Sequence, residues 1–127
     1  MQTKKELRGI IENEQIEERE KQLLSFFLSQ LNHMKHDILY QINNSNVSHD
    51  FSPYYDMLVF NPIENQIKKT FISNCDLVIQ VLHENVGPTV FRLLISNGFI
   101  HFFEVYNADF HCLKYDELCK GKIYKEF

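Results

Sequence analysis

Apolar side chains recur at three- and four-residue steps through Leu24, Phe27, Leu28, Leu31, Met34, Ile38 and Ile42, tracing one stripe down a helix. The pattern predicts a single amphipathic helix over 23–42. It stops at Asn43-Asn44-Ser45-Asn46, residues that compete with helix by bonding their own backbone. Upstream, residues 3–22 are polar, with Leu7, Ile10, Ile11 and Ile16 as the large apolar side chains. Glu17 and Lys21 form a favourable i,i+4 pair, so a helical arm is expected there.

Past a loop over 45–53, closed by Ser52-Pro53, the pattern changes from helical to strand-like. Residues 54–60 read as a first strand ended by Asn61-Pro62, and 67–73 as a second. Three more follow at 76–84, 89–96 and 99–106, joined by Asn85-Val86-Gly87-Pro88 and Asn97-Gly98. Asn-Gly suits a two-residue type I′ loop, in which both central residues need φ > 0. Such a loop pairs Ser96 with Phe99 and Ile95 with Ile100. Continued up the ladder without interruption, it pairs Arg92 with Phe103, Leu94 with His101 and Phe91 with Glu104.

That register places Phe91, Leu93 and Ile95 on one face with Ile100, Phe102, Glu104 and Tyr106. The other face holds Val90, Arg92 and Leu94 with Phe99, His101, Phe103 and Val105. Carrying the four-residue turn back adds Val78, Gln80 and Leu82 to the first face, and Leu77, Ile79, Val81 and His83 to the second. Neither face is cleanly polar, although an antiparallel sheet ordinarily wets one side. The expected fold is α+β. A long N-terminal helix packs on an antiparallel meander of about five strands, and a short C-terminal helical element over Tyr115–Lys120 ends at Gly121. The 127 residues form one domain: a polar arm 1–22, the main helix 23–43, the sheet within 54–107 and a C-terminal segment 108–127.

Composition narrows the classes. Eleven Phe and six Tyr with no Trp indicate an aromatic core, and 44% apolar with 24% charged residues is ordinary for a globular chain. No run of eighteen apolar residues exists, so no transmembrane helix is expected, and the first residues do not read as a signal peptide. Three cysteines, Cys75, Cys112 and Cys119, fit a reduced, cytoplasmic setting. Net charge is −4, and residues 23–113 carry four cations against eight acids. The body is mildly acidic and lacks the basic patch that nucleic-acid binding needs.

Chemistry-bearing clusters are sparse. His33, His36 and Asp37 are grouped on the long helix, but no H-E-x-x-H motif accompanies them. His111, Cys112 and Cys119, with Cys75 or His83, lack paired C-x₂₋₄-C spacing, so no metal or cofactor is assigned. Ser48-His49-Asp50 are sequence neighbours, not a triad, whose members must meet in space. Glu104 faces away from Arg92 and His101 in the expected register, so those three form no catalytic set.

The reading is a small protein-binding module of inhibitor, immunity or adaptor kind, favoured over an enzyme and acting through the second sheet face. Arg92, His101, Phe103, Val105, Phe99 and His83 are its expected contact residues. The partner is another protein, favoured to be basic by the acidic body, or a second copy forming a homodimer. The alternative is a small-molecule-binding or enzymatic domain with a pocket between helix and sheet, in which His83, Arg92 and His101 supply polar groups.

Overall fold

The structure is a computed structural model that describes residues 11–31, 34–63, 74–110, 112 and 120–126. The expected strand over 67–73, the bulk of the Tyr115–Lys120 element, and His33, His111 and Cys119 lie outside these residues. The described elements are helices α1 (Glu18–Ser29) and α2 (Lys35–Asn43) and strands β1 (Ser45–Ser52), β2 (Tyr55–Pro62), β3 (Cys75–Leu82), β4 (Thr89–Ser96), β5 (Phe99–Asn107) and β6 (Lys122–Glu126). The fold is α+β, with a six-stranded sheet in the order β1-β2-β5-β4-β3-β6. Every pairing is antiparallel.

The apolar stripe is divided between two helices. Gln30 and Leu31 donate to Phe27 O and Leu28 O at 3.1 Å each, tightening the end of α1 as short i→i−3 bonds do. Ser29, Asn32 and His33 are mediocre helix formers, yet the apolar spacing runs on across them, so periodicity alone hides the break. At the start of α1, the Glu17 amide donates to Glu20 Oε1 at 2.9 Å, half of a capping box. Upstream, Asn13 Nδ2 donates to Ile42 O (2.8 Å) and Ser45 O (2.7 Å), tying that segment to the α2–β1 junction.

Both expected faces of the sheet need correction, for two reasons. The Asn97-Gly98 turn forms as anticipated, with φ of 55° and 88°, and Ser96↔Phe99 and Ile95↔Ile100 pair. The register then slips between Leu94 and Ile95, so Leu94 faces Phe102, Leu93 faces Phe103 and Arg92 faces Glu104. His101 is the extra residue of a β-bulge. Meanwhile β3 ends at Leu82, and the longer connection over 83–88 pairs Val81 with Thr89. Each change shifts the register by an odd number of residues and exchanges faces.

Phe103 and Val105 therefore lie in the core with Phe91, Leu93, Leu77 and Ile79, all buried. Helix α1 covers this face: Phe26 meets Phe91 with ring centroids 5.2 Å apart, and Phe27 meets Phe103 edge-on at 5.4 Å. From α2, the buried Gln41 side chain donates to Gly98 O (2.9 Å) and accepts from the Ile100 amide (2.7 Å), clamping the hairpin end.

Two strands occur where other structure is expected. β1 occupies the supposed loop 45–53 and pairs with β2 from Ser45↔Pro62 to Ser52↔Tyr55. Its sequence does not alternate, and most of it is exposed. Ladder bonds hold it, and on its outer edge Gln15 Oε1 accepts from the Val47 amide at 2.7 Å. At the opposite edge, β6 lies just beyond the segment expected to be helical, where no element was expected, and pairs with β3. Gly121 enters this strand at φ 148°, where a Cβ would run into the Leu82 carbonyl.

Candidate functional site

Strand alternation places residues of the β1–β2 hairpin on opposite sides of the sheet, and each side carries its own polar group. On the helix side, Glu20 of α1 (3% exposed) contacts His49 Nδ1 of β1 through Oε2 at 2.9 Å. Arg19 Nη2 donates to Oδ2 of the buried Asp56 of β2 at 2.8 Å. His49 Nε2 is 2.7 Å from Gln15 O. A backbone carbonyl can only accept, so Nε2 carries the proton and donates.

Burial pushes the Glu20 carboxyl up to about 7, reinforced by a hydrogen bond to Asp56 and opposed by those from His49 and the Glu17 amide. Asp56 Oδ1 is buried and has no hydrogen-bond partner among the described residues. Desolvation works against the charge on His49, but the Glu20 contact outweighs it and raises the imidazole above its ordinary value. This network fastens α1 to the hairpin. Its carboxylates are buried, whereas Arg19 and His49 reach solvent, with side chains 34% and 23% exposed.

On the other side, the sheet carries no described helix. Across β1, β2, β5 and β4 the register aligns Asp50, Met57, Glu104 and Arg92 in one row, and Ser52, Tyr55, Tyr106 and Val90 in the next. Arg92 is held by Asp76, with Nε at 2.9 Å and 3.1 Å from the two carboxylate oxygens and Nη2 at 2.9 Å. Its guanidinium carbon also sits 5.4 Å from the Phe102 ring centroid, and Nη1 is 4.0 Å from Glu104.

At the β1–β2 end this face opens into a cleft of about 570 Å³. Five aromatic residues line it, Phe51, Tyr54, Tyr55, Tyr106 and Phe110, with Phe51 at its rim, since pairing with Asp56 turns the Phe51 side chain toward the helix side. Asp50 and Glu104 supply two carboxylates, and the lining has no cationic side chain. Ser52, also in the wall, has a buried hydroxyl without a hydrogen-bond partner among the described residues. Burial raises the Tyr55 phenol above its ordinary value, and the charges of Glu104, Asp50 and Asp56 raise it further, so the potential here is negative.

Phe51 and Phe110 are 64% and 71% exposed, unusual for phenylalanine. Phe110 is held out by local chemistry. Asn107 Oδ1 accepts from the Asp109 amide at 2.8 Å, and Asp109 accepts from the Gly87 amide. Phe110 itself adopts φ 58°, a conformation costly for a bulky residue. Its ring packs edge-on to Tyr54 at 5.0 Å.

The expected contact residues are dispersed by this geometry. Arg92, Phe99 and the exposed His101 share the helix-free face, and Phe103 and Val105 do not. His83 sits in the β3–β4 connection with Nε2 2.8 Å from Thr89 Oγ1. Glu104 shares the face of Arg92, and so the expected separation of these two is also reversed. His36 and Asp37 are exposed on the first turn of α2, and no metal-holding group of three His, Cys, Asp or Glu occurs among the described residues. Cys75 and Cys112 are free thiols. No described helix is long and apolar enough to cross a membrane.

The sequence reading missed the cleft because its walls come from the ends of β1, β2 and β5, brought together from distant parts of the chain, and β1 itself was not expected. Aromatic residues crowding the segments next to Ser52-Pro53 and after Asn107 were the available signal. No family model, curated protein or solved structure matches this chain.

Proposed function

We propose that this protein is a protein-binding module of inhibitor, immunity or adaptor kind, docking a basic partner on the helix-free sheet face and its cleft. One observation carries the reading: an open cleft presents Tyr106 and Phe110 to solvent beside two carboxylates. Exposed aromatic clusters with a charged rim are characteristic of contact surfaces. The side chains described between helix and sheet interlock instead, Phe26 on Phe91 and Phe27 on Phe103, so a pocket there is the weaker reading.

Site-specific photo-crosslinking in the native cell tests it. A crosslinker replacing Phe110 or Tyr106 is expected to give an adduct with one discrete protein, and a crosslinker replacing Tyr40 on α2 is not. Equal adducts at all three positions, or none at Phe110 and Tyr106, overturn the reading. An adduct of twice the chain mass assigns the surface to a second copy.

A further inference from the structure

Resting on that reading, we infer that the cleft receives an arginine side chain of the partner, its guanidinium stacked on an aromatic ring and paired with Glu104 or Asp50. The lining excludes the opposite choice, because an anionic group would meet two carboxylates and no cation. A neutral apolar group would leave those carboxylates to be desolvated without compensation, which is costly. A cation gains from both components: ring faces carry negative quadrupole charge, and a carboxylate strengthens the contact where water is displaced.

Arginine is favoured over lysine by shape. Its planar fork matches a carboxylate and stacks on a ring at the same time, whereas an ammonium is a compact, strongly hydrated point charge. The same sheet face already contains this arrangement within the chain. Arg92 is forked onto Asp76 and lies over Phe102 at 5.4 Å. In the cleft, the rings and carboxylates are present and the guanidinium must come from outside. A volume of about 570 Å³ lies within the range of ligand pockets and exceeds what a bare ion requires. Net charge of −4 would also steer a basic segment toward the surface.

The test is titration of the whole chain with the blocked peptide acetyl-(Gly-Arg)₃-amide, followed by the aromatic NMR resonances of Tyr55, Tyr106 and Phe110. Parallel titrations use the same peptide with citrulline or lysine in place of arginine. The arginine peptide is expected to shift these rings. Citrulline should bind at least about tenfold more weakly, as loss of a charge-assisted contact implies, and lysine several-fold more weakly. Asp50→Asn and Glu104→Gln, which keep shape and remove charge, should each weaken the arginine peptide and leave the citrulline peptide unchanged.

Equal binding of arginine and citrulline peptides overturns the inference, as does lysine binding as tightly as arginine. If no peptide shifts the rings but crosslinks at Phe110 and Tyr106 persist, the arginine assignment falls and the binding-module reading stands. If the crosslinks are also missing, both fall. A dimer in sedimentation that buries the cleft overturns the inference in favour of a second copy.

Discussion

Both faces of this sheet carry aromatic and apolar side chains, yet they behave differently. The helix side holds Phe91, Leu93, Ile95, Phe103 and Val105, none more than 2% exposed, against rings and aliphatic chains from α1 and α2. The other side alternates aromatics with charges: Tyr55, Phe102 and Tyr106 beside Asp50, Glu104, Arg92 and Asp76. Covering a face lets apolar contact hold it together. A face without a helix must satisfy its polar groups laterally, as Arg92 does with Asp76, and it keeps aromatic surface available. The comparison separates a side closed by apolar packing from a side left open, which is where the proposed docking surface lies.

The largest test of that division is a matched pair of truncations. Phe27→Ala on the core side empties a fully buried position and should cost about 3–5 kcal/mol. Phe102→Ala on the open side removes a half-buried ring and its Arg92 contact, and should cost about 1 kcal/mol. Urea denaturation of both variants measures the difference. Similar losses would mean that the second face is as much a core as the first.

How much of this asymmetry was legible in the sequence depends on which signal encoded it. The Asn97-Gly98 turn and the limits of β4 and β5 were readable because local chemistry sets them. Which face each residue occupies was not. A bulge at His101 and a connection over 83–88 each exchange the faces, and a sheet with apolar residues on both sides gives the binary pattern no way to detect a one-residue slip. β1 was unreadable for another reason: Ser-Asn-Val-Ser-His-Asp-Phe-Ser has no strand periodicity, and pairing with β2 and contacts from Gln15 create the strand. The cleft and the Glu20–His49–Asp56 contact bring together residues distant in sequence, so no spacing announces them.

The next largest effect concerns the polar group on the covered side, where Arg19, Glu20, His49 and Asp56 meet. Glu20 titrates near 7 folded against an ordinary value of 4.5. Between those values the folded chain binds more protons than the unfolded one, so stability should fall as pH rises through this window and level off above it. His49, also raised, acts in the same direction: its contribution is complete below its ordinary 6.5 and is lost as pH rises past its folded value. The combined loss between pH 5 and pH 8 is on the order of 2 kcal/mol. Glu20→Gln, which cannot titrate, should flatten the dependence. A stability that instead increases from pH 5 to pH 8 would contradict a Glu20 carboxyl raised by burial.

The smallest effect is expected on the open side, and its smallness is informative. Arg92 makes a forked ion pair with Asp76, but the two side chains are 38% and 43% exposed, and exposed pairs are worth about 0.2–1 kcal/mol in coupling. A double-mutant cycle with Arg92→Ala and Asp76→Ala should give a value in that range, diminished in 0.5 M salt because screening shortens to a few ångströms. A coupling above about 2 kcal/mol that resists salt would indicate that this pair is sealed from water. Arg92 and Phe102 would then belong to a covered surface, and the partner would have to dock at the cleft without the rest of the face. A weak, salt-sensitive coupling leaves the whole row from Asp50 to Arg92 wet in the free protein, with Glu104 still able to exchange its 4.0 Å contact to Arg92 for an incoming guanidinium.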